Sequence, residues 1–374
     1  GYMVPSSGYL KWFDLFLLDD AFIIRFPRRH APSEVLPMDN YPTLLKTFKE
    51  YGDWLTTLGI HSVGALNDAI QEGHIDEVIL VSEALHEMQI AQIAGQIYDA
   101  RDRVGVILIA GPSSSGKTTF SKRLGIQLLA KGITPFALEM DNFFIDRDKT
   151  PLNPDGHRDF ESLRALDLVR LNRDLKALMD GQEVQLPRYD FITGLSVDGA
   201  KVQLKKGDVI ILEGIHGLNP GLLTDIDAQT TFRIYVSCLT QLNLDRHNRI
   251  STTDTRMLRR ILRDARDRGY TAADTIRRWE SVRAGEKFHI FPYQENADVM
   301  FNSALAYELT TLKPLVEPLL RQVPFGTPEH IEAKRLLKFL EWFLPTGTDY
   351  VPDNSILREF IGGSILTNFE LWTR

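Results

Sequence analysis

Residues 111–118, Gly-Pro-Ser-Ser-Ser-Gly-Lys-Thr, constrain this chain more than any other stretch, because they match G-x-x-x-x-G-K-[ST] without interruption. An apolar run, Val104 to Ala110, precedes them, and a helical pattern, Lys117 to Ala130, follows. A glycine-rich bend between a buried strand and a helix turns backbone N–H groups toward one point, where the helix N-terminus adds about half a positive charge. Such a bend cradles a phosphate chain. Gly111, Ser113, Ser114, Ser115, Gly116, Lys117, Thr118 and Thr119 are therefore expected to hold a nucleotide, with Lys117 reaching the β- and γ-phosphates and the Thr118 hydroxyl holding Mg²⁺. ATP and Mg²⁺ are the expected cofactors.

Four further apolar runs, Thr134 to Met140, Asp208 to Leu212, Phe232 to Val236 and Asp298 to Phe301, are separated by longer segments, several of them helical in pattern. Continuous apolar strands need both faces covered, which predicts an α/β fold of P-loop type: three layers, α/β/α, around a mostly parallel sheet. Flanking pieces surround it. Residues 1–35 carry two β-like runs in which Phe22, Ile24 and Phe26 alternate as a half-buried strand should, residues 36–100 read as a helical connector, 101–310 as the main domain and 311–374 as a helical extension. In that extension Thr327 and Pro328 suit a helix start, and Ile331, Leu336, Leu340, Phe343 and Leu344 form a stripe able to dock.

Lys and Arg total 43 against 50 Asp and Glu, a net charge of −7, which argues against a nucleic-acid or anionic-membrane partner. The single cysteine, Cys238, lies in an apolar run and is expected to be a buried structural thiol. No apolar stretch reaches the roughly 20 residues that cross a bilayer, and the start lacks the layout of a secretory signal, so a cytoplasmic location is expected.

The residues facing the γ-phosphate decide the chemistry. Asp141 follows the second main strand within Met140-Asp-Asn-Phe-Phe144, where the carboxyl ends of parallel strands share one crevice, so it is the candidate base for an attacking hydroxyl. A cap on the next helix is the alternative. Glu213 ends the strand Asp208 to Leu212 and is the candidate Mg²⁺ carboxylate, or else a solvated strand-end acid. Arg256, Arg259, Arg260 and Arg263 recur on one helical run, and at 100° per residue Arg256, Arg260 and Arg263 share a face, with Arg259 more loosely placed. They could close over a triphosphate as a lid, or lie on a solvated face. His157 and His216 show no metal-ligand spacing and read as structural.

In order along the chain, GPSSSGKT, MDNFF, PRYDF (187–191), LEGIHGL and DTRMLRRILRD (254–264) resemble the uridine kinase and phosphoribulokinase family of P-loop kinases. The likeness spans roughly residues 103 to 305. It implies transfer of the ATP γ-phosphate to an alcohol of a small molecule, most simply the 5′-hydroxyl of uridine or cytidine. It also implies Asp141, Lys117, Arg256, Arg260 and Arg263 as catalytic, Arg259 among the nucleotide-binding residues, and Thr118 and Glu213 at the metal. The segment His157-Arg-Asp-Phe160 resembles the family's ribose-binding stretch, which makes Asp159 the substrate candidate and Asp155 a weaker one. Tyr189 and Phe191, with Arg256, fall where the family lines its acceptor pocket; a turn acid and core aromatics are the plainer roles for these residues. Uridine kinases carry a His three residues after that Phe, and this sequence has Gly194.

A phosphoribulokinase-like acceptor and a non-catalytic nucleotide-sensing or RNA-associated module stay open as alternatives, as does a homo-oligomer. The opening residues also resemble the end of a threonyl-tRNA-synthetase-like region found ahead of the kinase in some long bacterial homologues. With Gly1 first, a truncated N-terminal part is expected.

Overall fold

The computed structural model describes residues 4–18, 21–27, 31–37, 41–152, 156–245 and 248–369. The chain divides into two compact units that part after Pro42.

The first unit holds an antiparallel hairpin, β1 (Asp14–Leu18) and β2 (Ala21–Arg25), with Leu15 opposite Ile24 and Leu17 opposite Phe22. Alternation had predicted a half-buried strand. Phe22 is instead 61% exposed and Ile24 54%, because a two-stranded ribbon has no second layer within its own unit to cover either face.

In the second unit, helices α1 (Pro42–Thr57), α2 (Val63–Gln71) and α3 (Ile75–Asp99) lead to β3 (Val106–Ala110), α4 (Lys117–Ala130) and β4 (Pro135–Glu139). Next come α5 (Leu168–Met179), the hairpin β5 (Val184–Asp190) and β6 (Leu195–Val202), then β7 (Val209–Glu213) and β8 (Thr231–Ser237). Helices α6 (Thr252–Asp267) and α7 (Ala272–His289) precede β9 (Val299–Asn302), and α8 (Glu308–Arg321), α9 (Pro328–Leu340) and the short α10 (Arg358–Ile361) close the described chain.

The central sheet has the order β4-β7-β3-β8-β9, and every pairing in it is parallel. Its two faces can be read from one strand. Val106 and Leu108 of β3 join a cluster with Leu171, Leu175 and Leu178 of α5, while Ile107 and Ile109 join Phe120, Leu124 and Leu128 of α4. A strand apolar at every position therefore serves two layers, as the unbroken runs required. From β3 the chain goes to β4 and β7 on one side and returns to β8 and β9 on the other, so the crevice at a topological switch opens at the carboxyl end of β3.

The stretches expected as connector, main domain and extension are not separate bodies. Tyr51, Leu55 and Ile97 before the sheet and Leu312, Leu336 and Phe343 after it share one apolar cluster with Ile107 and Ile211. Isolated, each stretch would expose its apolar face, and burial removes that cost. Thr327 caps α9 by accepting the His330 N–H over 3.2 Å, and Leu336, Leu340 and Phe343 are buried as expected. Ile331 departs from the expected stripe and stands 75% exposed. Cys238 is fully buried, and burial pushes its thiol up to about 12.

Candidate active site

The loop after β3 is shaped by backbone sterics first. A Cβ on Gly111 would stand 1.9 Å from the Val236 carbonyl oxygen, so only glycine fits there. Gly116, the N-cap of α4, has φ +85°, and Ser114 also takes a left-handed φ of 58°.

Polar groups then hold the loop's carbonyls from behind. Arg256 Nε donates to Ser113 O over 2.9 Å, Arg259 Nη1 to Ser114 O over 3.5 Å, and Ser303 Oγ to Ser115 O over 2.5 Å. Two of the loop's N–H groups are also engaged: Ser113 N–H donates to Glu286 Oε1 over 3.1 Å and Ser115 N–H to Pro112 O over 3.3 Å. The Ser114 and Ser115 hydroxyls are buried without a hydrogen-bond partner among the described residues, which leaves them free for a ligand.

A cavity of about 350 Å³ lies in front of the loop and is lined by residues 113–118, Asp141, Glu213, Arg260 and Arg263. Asp141 sits in a 3₁₀ turn, Met140–Phe143, pinned by burial of Met140 and Phe143 at the end of β4. Glu139 and Glu213 are register partners at the ends of β4 and β7. Thr118 Oγ1 donates to Glu213 Oε1 over 2.8 Å, so the two proposed metal residues already touch.

Burial raises the Glu213 carboxyl to about 7, against the pull of Lys117 and Thr118. It also raises Asp141, and Glu139 adds to that while Lys117 and Arg268 oppose it. Lys117 is lowered by burial, although Glu213, Glu359 and Asp141 favour its charged form. Carboxylates gathered at one cleft favour a cation there. Glu213 and the Thr118 hydroxyl suit Mg²⁺, which commonly takes one or two protein ligands and completes its shell with water and phosphate oxygens.

This gives a pH prediction. Folded, Glu213 keeps its proton up to about pH 7; unfolded, it releases it near its ordinary value of 4.5. Between those values the folded chain carries more protons, so Glu213 lowers stability as pH rises through that window. In metal-free protein the melting temperature should fall as pH is raised from about 5 to about 8, with the Glu213→Gln variant falling less. Calorimetry with and without Mg²⁺ checks this. Equal slopes for the two proteins would contradict it.

The structure splits the arginine set of α6. Arg260 Nη1 donates to Ser113 Oγ over 2.7 Å, and both Arg260 and Arg263 line the cavity beside Asp264, their common partner. Arg256 and Arg259 are not in the cavity lining and are buried in ion pairs, Arg256 with Glu286, which does line the cavity, and Arg259 with Glu308. Those two brace the loop instead of entering the cavity. The helix does not stand clear as a loose lid, because Met257, Leu258, Ile261 and Leu262 are buried in the main core.

Of the acceptor candidates, Asp159, Tyr189 and Phe191 are not in the lining of this cavity. Asp159 Oδ1 accepts the Glu161 N–H over 3.1 Å, as a turn acid does. Tyr189 is buried among aromatics, with ring centroids 5.4 Å from Phe144 and 5.0 Å from Phe191, while Phe191 is 61% exposed. Asp155 lies outside the described residues. His216 is buried and lowered by burial to about 4, hence neutral.

Five charged lining residues escaped the sequence reading: Glu139, Glu161, Arg268, Glu286 and Glu359. Burial raises Glu161 to about 7, against Arg260.

Residues 106–309 match the sequence profile of the Phosphoribulokinase / Uridine kinase family, more than half of the chain. The chain belongs to this family. Membership places it among phosphotransferases. Among relatives, a uridine kinase of Deinococcus deserti is 29% identical over 196 residues, 52% of this chain and 86% of that protein. A uridine kinase of Staphylococcus aureus is 29% identical over 213 residues, 56% of this chain and 94% of its own. Among solved structures, phosphoribulokinase from Rhodobacter spheroides is 17% identical, covering 54% of this chain and 70% of that one, with a TM-score of 0.35. Among the described residues no helix is long and apolar enough to cross a membrane.

Proposed function

We propose that this family member is a Mg²⁺- and ATP-dependent kinase that moves the γ-phosphoryl group to an alcohol of a small cytoplasmic metabolite. One observation carries the reading: a single cavity joins the phosphate loop to Asp141 on one side and to Arg260 and Arg263 on another. Asp141 takes the proton of the acceptor hydroxyl, and its raised carboxyl makes it a better base than an ordinary aspartate. Lys117 and the two arginines meet the charge that spreads over the transferred oxygens. Glu213 and Thr118 hold the metal, which when bound neutralises phosphate charge. Arg256 and Arg259 act at one remove, by fixing the loop.

A nucleoside 5′-hydroxyl is the leading acceptor, supported by the uridine kinase relatives. The hairpin favours a second reading. At Gly194, with φ +74°, a Cβ would meet the Arg147 side chain at 2.6 to 2.8 Å, and Arg147 Nη2 donates to Phe191 O over 2.5 Å. No side chain at 194 can read a base there. A guanidinium at the tip suits an acceptor that already carries a phosphate, such as a sugar phosphate.

The test is a panel of nucleosides, sugars and sugar phosphates incubated with γ-labelled ATP and Mg²⁺. Label in one acceptor is expected. If ATP binds and no alcohol in the panel gains label, the kinase reading gives way to a nucleotide-sensing one.

A further inference from the structure

The first-turn N–H groups of a helix lack partners inside it, and in a phosphate loop they face the α- and β-phosphates. In α4 one of these donors is already taken. Glu359 Oε2 accepts the Thr119 N–H over 3.2 Å and the Thr119 hydroxyl over 2.9 Å, and the same carboxylate favours the charged form of Lys117. Glu359 reaches there from α10, nearly 240 residues along the chain, and lines the same cavity as the loop.

The segment that presents it is built in place. Ile356, Leu357 and Phe360 are fully buried or nearly so, and Ile356 packs so closely on the loop that a Cβ at Gly116 would meet its Cγ2 at 2.5 Å. Arg266 of α6 donates to the carbonyls of Glu359 and Phe360 over 2.8 and 2.9 Å. Ser355 Oγ donates to Glu83 over 2.5 Å. Such anchors hold the backbone still and leave the Glu359 side chain as the part able to swing.

We propose that Glu359 is a built-in competitor for the nucleotide: its carboxylate rests on the phosphate seat at the start of α4, and a polyphosphate binds only when that side chain turns away. This rests on the nucleotide-binding reading of the loop and adds its regulation. The Thr119 N–H cannot fully serve two anionic acceptors at once, so a phosphate oxygen that takes it must first displace the carboxylate. If the seat is taken nine-tenths of the time, apparent affinity drops about tenfold.

The experiment measures binding of Mg-ATP and of inorganic triphosphate to the full chain by calorimetry, in the parent, Glu359→Gln and Glu359→Asp. Gln keeps the size and removes the charge, whereas Asp keeps the charge and shortens the reach. Gln should tighten both ligands by about tenfold, and Asp should tighten them by a smaller factor. Circular dichroism melts confirm folding, and either variant alone suffices if the other is unstable. Unchanged or weaker binding in a folded variant overturns the proposal while ATP binding by the parent keeps the nucleotide-binding reading of the loop. Failure of the parent and both variants to bind either ligand would overturn both.

Discussion

Asp141→Asn should lower turnover by about 10²- to 10⁴-fold while Mg-ATP affinity stays within about twofold. Asparagine preserves the volume in the 3₁₀ turn, and Met140 and Phe143, which pin that turn, are untouched. The substitution removes a proton acceptor and little else. Because the base acts only as the hydroxyl attacks, kcat and kcat/KM should fall together. The pH profile supplies a second readout. Burial and Glu139 hold the Asp141 carboxyl above its ordinary 3.8, so the acid limb of the parent profile should lie above that value and disappear in the variant. Full turnover in the variant would remove Asp141 from the chemistry, and loss of ATP affinity alone would reduce it to a residue that shapes the crevice.

What the sequence revealed about this site follows from strand geometry. A strand apolar at every position must be buried on both faces, parallel strands end at one edge, and an acid just past two of those ends therefore faces the loop past a third. That logic reached Asp141 and Glu213 from a linear pattern. It could not reach Glu286 or Glu359, which lie on helices whose own periodicity says nothing about what they pack against. Nor could a helical wheel divide the arginines of α6. It groups Arg256 with Arg260 and Arg263, yet Arg256 is taken up by the Ser113 carbonyl and Glu286 and leaves the cavity lining to the other two. The N-terminal hairpin shows the converse limit: alternation at Phe22 and Ile24 marks a strand correctly, but coverage depends on a second layer that the pattern does not contain.

The divided arginines lead to the other large expected effect. Arg259 is fully buried; it pairs with Glu308, donates to Ser303 O over 2.8 Å and stacks on Phe360 at 4.9 Å. Replacing it by methionine fills much of the volume but strands the Glu308 charge in the core, a cost of about 3–5 kcal/mol. The melting temperature of Arg259→Met should drop by roughly 10 °C. Adding Glu308→Leu should recover a large part of that loss, because a buried pair replaced whole by apolar groups is often neutral. Arg263→Met should behave in the opposite way. Its partner Asp264 keeps Arg260 and Arg268, so the fold is little affected, yet the cavity loses a cation and turnover should fall on the order of a hundredfold. If Arg263→Met instead melted early at unchanged rate, or if Arg259→Met melted like the parent, burial would not be what separates brace from catalyst on this helix.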